Sequence, residues 1–180
     1  MLVVDASALL LEGEERFDQA IGNWALVGRA PEAQELGGAW AFRTRANAGE
    51  NDGEGPPVLL SFDHVILPLR KRRTDGPFSH VILIGRASSN DVQLTHTSTS
   101  KLHARVEVIP GADHVVVADA GSSNGTTIND EMLGHGERRR AASGARLLFG
   151  TCAFVLLDSP SLKTLLRSTG PALAVMSESS

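Results

Sequence analysis

Tyrosine is absent from this 180-residue chain, aromatic residues make up only 4%, and there is a single cysteine. With so few rings, a core has to be assembled from Val, Leu, Ile and Ala. The lone Cys152 excludes an internal disulfide and removes the thiols on which zinc-finger spacings depend. Inside the apolar run Phe149 to Leu157 it reads as a small core residue. No hydrophobic run is long enough to span a bilayer, since the longest, Leu147 to Leu157, is interrupted by Gly150 and Thr151. The stretch Met1 to Leu11 has an acid, Asp5, and no basic residue, unlike a secretory signal. These absences predict no membrane contact and a reducing, cytoplasmic setting, while the Ala-, Gly- and Arg-rich composition points to a bacterial origin.

The net charge of -4 is unevenly spread. Residues 1–57 hold 4 basic and 10 acidic side chains, residues 58–158 hold 11 and 10, and residues 159–180 are net +1. A near-neutral segment with local basic clusters suits a small anionic ligand better than a long nucleic acid. The basic runs Arg70-Lys71-Arg72-Arg73 and Arg138-Arg139-Arg140 read as solvated hairpin ends. Without interleaved aromatics they form no single-strand groove, so no nucleic-acid partner is expected.

Three regions separate along the chain. Residues 1–57 read as an acidic, partly ordered extension with a candidate helix over Ala6–Ile21, an apolar piece at Trp40–Phe42, and a Gly/Pro-rich linker over 47–57. Residues 58–158 read as short strands: Val58–Leu69, Ser79–Ile84, Ala104–Val108, Val115 with Val117, Arg146–Phe149 and Ala153–Leu157. In Ala104-Arg-Val-Glu-Val108 apolar and charged residues alternate, placing three apolar side chains on one face. Turn signals fall at Pro110-Gly111, Asn124-Gly125 and Ser143-Gly144. Many short strands without an intervening long helix predict an all-β antiparallel sandwich and disfavour a βαβ enzyme fold. Residues 159–180 read as a short tail with a helix near Leu162–Arg167.

Three patches stand out at predicted strand ends and loops: Ile84-Gly85-Arg86, Ser100-Lys101-Leu102-His103, and Asp119-Ala-Gly-Ser-Ser-Asn-Gly-Thr126. Taken singly, Arg86 reads as a surface charge, Ser100 as a loop hydroxyl, His103 as a satisfied imidazole and Asn124-Gly125 as a hairpin turn. In this order and spacing, with Ile128-Asn129 following, they resemble the signature of the forkhead-associated (FHA) domain over roughly residues 58–158. Two departures are visible: Gly144-Ala145 stands where the family commonly has Gly-Asp, and Thr99 stands where it usually has an aliphatic residue.

The resemblance implies a β-sandwich that binds a phosphothreonine-containing protein, a Ser/Thr kinase or its substrate, with no enzymatic activity, no cofactor and no metal. A phosphothreonine carries about -1.5 to -2 charges and three acceptor oxygens, which a guanidinium answers with fixed donors and a permanent charge. Arg86, Ser100, Lys101, Ser123 and Asn124 are the implied phosphopeptide contacts. Gly85, His103, Gly125 and Asn129 are the implied structural supports, together with Asp119 and Gly121. Ser98, two positions before the motif serine, is the implied reader of the third residue after the phosphothreonine; as a small neutral hydroxyl it predicts weak selectivity for an acid there.

Other readings stay open. One is a phosphate-independent scaffold or assembly protein that uses another face of the fold, with Trp24 and Trp40 of the acidic extension as an interface. An enzyme with Ser100 as nucleophile and His103 as base lacks a third group and the glycine-framed elbow. Thr44, if phosphorylated, is a candidate ligand in cis.

Overall fold

The computed structural model describes residues 1–29, 64–72 and 79–177. Among these residues the alternating segments form strands β1 (Trp24–Arg29), β2 (His64–Pro68), β3 (Val81–Gly85), β4 (Val92–Gln93), β5 (Ala104–Val108) and β6 (His114–Asp119). They continue as β7 (Thr126–Ile128), β8 (Glu131–Met132), β9 (Arg138–Ala142), β10 (Arg146–Phe149) and β11 (Cys152–Asp158). One sheet has the order β2-β1-β11-β10-β7-β8 and the other β4-β3-β5-β6-β9. The fold is an all-β sandwich with helices on one side. Its neighbours pair antiparallel except β3 and β4, which run parallel in the register Ile84↔Val92. The antiparallel β-sandwich expected from the sequence is the one that forms, with that single short parallel pair within it.

The main core lies between the sheets and is aliphatic, as the composition requires. Ile82, Ile84, Ala104, Val106, Val115 and Val117 point inward from one sheet, and Leu26, Leu147, Phe149, Phe154 and Leu156 from the other. The alternation in β5 is therefore a two-faced strand, with Arg105 exposed between buried Ala104 and Val106.

The N-terminal and C-terminal readings are corrected. The residues read as an extension supply β1, which lies between β2 and β11, with Val27 opposite both Ile66 and Val155. Trp24 is buried in the sandwich core, so it offers no interface. The single candidate helix is two, α1 (Val3–Glu12) and α2 (Glu14–Ile21), divided at Gly13. The tail is α3 (Ser159–Ser177), started by Asp158, whose Oδ1 accepts the Ser161 N–H at 2.9 Å, with Pro160 in the first turn. These helices cover the outer face of the six-stranded sheet. Val3, Ala6, Phe17, Ile21, Leu162 and Leu166 pack on Ala25, Val27, Ile66, Val155 and Leu157 in a second apolar cluster. β1 and β11 thus bury both faces, which is why they read as unbroken apolar runs. Lys163 fastens this layer, its Nζ 2.8 Å from Asp18 and 3.1 Å from Glu14 and 5.7 Å above the Phe17 ring.

Arg138–Arg140, expected at a hairpin end, form most of edge strand β9, paired with β6 from Ala118↔Arg138 to His114↔Ala142. Arginines on an edge strand oppose pairing with another chain. Trp40, Thr44, the 47–57 stretch and the start of the expected first strand lie outside the described residues. Among the described residues no helix is long and apolar enough to cross a membrane.

Candidate functional site

One rim of the sandwich carries four connections: the β3–β4 loop, the β4–β5 loop, the β6–β7 loop and the β10–β11 turn. The first two are locked together by backbone bonds, Arg86 N–H to Ser100 O at 2.8 Å and Ala87 N–H to Lys101 O at 3.1 Å. Asn90 adds its side-chain amide, donating to Ala87 O at 3.0 Å and Lys101 O at 2.6 Å. Gly85 is what lets them approach. A Cβ at that position would stand 2.5 Å from Lys101 O, 2.8 Å from Asn90 Nδ2 and 2.9 Å from Ser100 O, closer than real Cβ atoms come.

The β6–β7 loop is organised by Asp119. Its carboxylate accepts the N–H groups of Gly121 and Ser122, both at 2.8 Å, and the hydroxyls of Ser122 and Thr126, both at 2.7 Å. Burial pushes this carboxyl up, but the four hydrogen bonds outweigh it and hold the group below its ordinary range. Gly125 closes the loop in the left-handed region at φ +77.

His103 ties the second loop to the third. Its ring is buried and lies edge-on to Phe149, with centroids 6.0 Å apart. Nδ1 accepts the Ser100 backbone N–H at 3.1 Å and Nε2 donates to Gly125 O at 3.0 Å. Both bonds are satisfied together only by the neutral Nε2–H tautomer, and burial correspondingly pulls the imidazole below its ordinary pKa. The contact goes to the amide of Ser100 and leaves its hydroxyl aside, so the two do not form a nucleophile–base pair.

Arg86, Ser100, Ser123 and Asn124 meet on this rim. Arg86 is exposed, with Nε braced on Thr99 O at 3.1 Å. Ser100 Oγ accepts the Ser123 N–H at 3.0 Å and lies 3.5 Å from Ser123 Oγ. Asn124 donates its amide to Ser98 O at 2.7 Å, and both Asn124 and Ser123 are exposed. Lys101 is exposed beside them. Among the described residues neither Arg86 nor Lys101 has a carboxylate partner. Two cations, serine hydroxyls and an amide on one small patch suit a tetrahedral oxyanion attached to an extended backbone.

Ser98 and Asn129 stand further out. The Ser98 hydroxyl is taken up by His96 Nδ1 at 2.8 Å and Thr151 Oγ1 at 2.9 Å, and it accepts the Thr151 N–H at 3.0 Å. Asn129 sits at the β7–β8 turn with φ 48, followed by Asp130 with φ 72, and its Oδ1 accepts the Arg146 N–H at 2.9 Å. The two-residue left-handed hairpin of this region is thus Asn129-Asp130, a position that Asn and Asp tolerate. The Thr99 hydroxyl is buried yet has partners, Phe149 O at 3.5 Å and Cys152 Sγ at 3.6 Å. Asn90 and Ser122 lie in segments that the sequence motif marks, after Arg86 and within Asp119–Thr126, but their bracing roles were not legible there, and nothing in the spacing marked His96 and Thr151 as loop braces.

A family model of the FHA domain matches residues 82–150, from β3 to the turn after β10. No curated protein matches the chain. Among solved structures, the FHA domain of a Chlamydia trachomatis protein is 19% identical, covering 76% of this chain and 98% of that one with a TM-score of 0.46. The FHA domain of an Arabidopsis thaliana protein is 22% identical over 53% of this chain and 74% of that one, with a TM-score of 0.42. EmbR of Mycobacterium tuberculosis, solved with a low-affinity phosphopeptide, is 23% identical over 44% of this chain and 20% of that one, with a TM-score of 0.40.

Proposed function

We propose that residues 82–150, which an FHA-domain family model matches, act as an FHA domain and make this chain a phosphothreonine-dependent protein-binding module that serves as an adaptor and catalyses no reaction. The observation that carries the reading is the meeting of Arg86, Ser100 and Asn124 on one rim with the Arg86 guanidinium braced and no carboxylate beside it among the described residues. In this reading Arg86 and Lys101 balance the phosphoryl charge, and the Ser100 and Ser123 hydroxyls donate to its oxygens. Asn124 holds the peptide backbone, and Gly85, His103, Gly125 and Asn129 fix the loops. The partner is a phosphothreonine-bearing protein, a Ser/Thr kinase or a kinase substrate. A single cysteine, Cys152, which is buried, fits a reducing, cytoplasmic compartment.

Binding of a phosphothreonine peptide library by the full chain tests this directly. Arg86→Ala is expected to weaken binding by about 30- to 150-fold, equivalent to ~2–3 kcal/mol for a hydrogen-bonded charge, without lowering the melting temperature. Equal affinity for phosphorylated and unphosphorylated peptides, or full affinity in Arg86→Ala, would overturn the proposal in favour of a phosphate-independent scaffold.

A further inference from the structure

Among the described members of the basic run, Arg70–Arg72, none is simply a solvated hairpin end, and Arg70 Nη1 donates to Ala20 O at 2.9 Å. Lys71 is drawn onto the sheet, its Nζ 2.8 Å from Asp91 Oδ2 and donating to Val81 O at 2.9 Å. Asp91 also accepts the Leu83 N–H at 2.8 Å and the Arg72 N–H at 3.0 Å. The charge of Asp91 is therefore matched by Lys71, and the Arg72 side chain is left over. That side chain is exposed and lies along the β3–β4 loop, where Nη1 donates to Ser88 O at 3.0 Å. Ser88 is two residues from Arg86, so their Cα atoms are at most about 7 Å apart. Among the described residues no carboxylate pairs with Arg72. Among the described residues Arg72, Arg86 and Lys101 thus give this end of the rim three cations, one more than a phosphothreonine needs.

We propose that Arg72 is a specificity-determining residue that engages a second anionic group of the ligand, a carboxylate or a phosphoryl, carried by the residues that pass over the β3–β4 loop beside the phosphothreonine. The inference rests on the proposed phosphothreonine site. The Ser88 carbonyl restrains the guanidinium before the ligand arrives, so less side-chain freedom is lost on pairing. Ser98 presents no cation and is bound to the β10–β11 turn, so the acidic preference falls on the β3–β4 side of the site.

The test uses the full chain and fluorescein-labelled phosphothreonine peptides in an Ala/Ser/Gly background, with Asp, or separately phosphoserine, walked through each flanking position. Fluorescence anisotropy is read for the parent chain, Arg72→Ala and Arg72→Lys at low and high salt. At one or two adjacent positions Asp should strengthen binding to the parent chain by about three- to fivefold at low salt, and phosphoserine by about tenfold. Both gains should vanish in Arg72→Ala and persist in part in Arg72→Lys, which keeps the charge. A gain with phosphoserine alone supports a phosphoryl as the second group; a gain with both supports a carboxylate as sufficient. No gain at any position, or a gain undiminished in Arg72→Ala, overturns the inference. Failure of the neutral phosphothreonine peptide to bind at all would instead overturn the proposed function on which it rests.

Discussion

The imidazole Nε2 of His103 donates to the carbonyl oxygen of Gly125 at 3.0 Å, so a ring from the β4–β5 loop sets the height of the β6–β7 loop that carries Ser123 and Asn124. Its other nitrogen holds the Ser100 N–H. The site is therefore shaped from behind by a side chain that never reaches its surface.

The burial of this ring makes the fold pH-sensitive, since it outweighs the opposing effect of the Gly125 hydrogen bond. Burial lowers the His103 pKa below 6.5, so the unfolded chain binds its proton first as pH falls. Stability is full above pH 6.5 and declines on acidification until the folded ring also protonates, with a slope approaching about 1.4 kcal/mol per pH unit. Thermal melts between pH 7.5 and 5 should show this slope. In His103→Gln the absolute stability should be lower but the slope shallower; an unchanged slope would remove His103 as its source.

Gly85→Ala should destabilise the chain by about 1–3 kcal/mol, because the added methyl meets two backbone carbonyls that cannot turn aside. The displaced atoms are the acceptors that hold Arg86 and Ala87, so peptide binding should fall with stability. Urea titration and anisotropy together measure this. A stable variant with full binding would mean that the loops have slack the distances do not suggest.

With its hydroxyl held by His96 and Thr151, Ser98 should give little acidic selectivity at the third residue after the phosphothreonine. An oriented peptide array reads this out. Dominance of Asp at that position would contradict it.

Lys163→Met should loosen the helical layer only slightly, because Asp18 and Glu14 are about half exposed. Lys163 lowers the pKa of Asp18, and Arg167 with Lys163 lowers that of Glu14. The stability these carboxylates add is present above about pH 4.5 and is lost as pH falls through their folded values. The variant should therefore lose less between pH 5 and pH 3 than the parent does in calorimetric scans. Phosphopeptide affinity at neutral pH should not change, since the layer packs on the outer face of the six-stranded sheet.

The sandwich and its rim were legible because they rest on short-range patterns. Alternation gave β5 and β6, and the glycine, serine and Asn-Gly spacings marked three loops whose meeting the fold then supplies. β1 was not legible. Trp24-Ala-Leu-Val-Gly-Arg29 has no alternation, because Trp24 and Leu26 face one core and Ala25 and Val27 another. Its partner β2 lies beyond residues 30–63, so no turn signal links the two. β9 was hidden for the opposite reason: three successive arginines look like a solvated end, yet an edge strand accepts them. Arg72 lies in a run whose members do different work, Lys71 pairing with Asp91 and Arg72 following the β3–β4 loop. Only the tertiary partners distinguish them.

Arg29 at the end of β1 stands opposite His64 at the start of β2, so the polypeptide between them leaves and rejoins the sheet at one point. That point lies at the same end of the sheet as Thr151, since β1 pairs directly with β11 and β11 begins just after the turn that holds Ser98. Closing a longer or shorter connection across a pair already in register changes its entropy only logarithmically with length. The pairing of β1 with β2 therefore fixes both ends of the 30–63 segment at the same end of the sheet as the ligand rim.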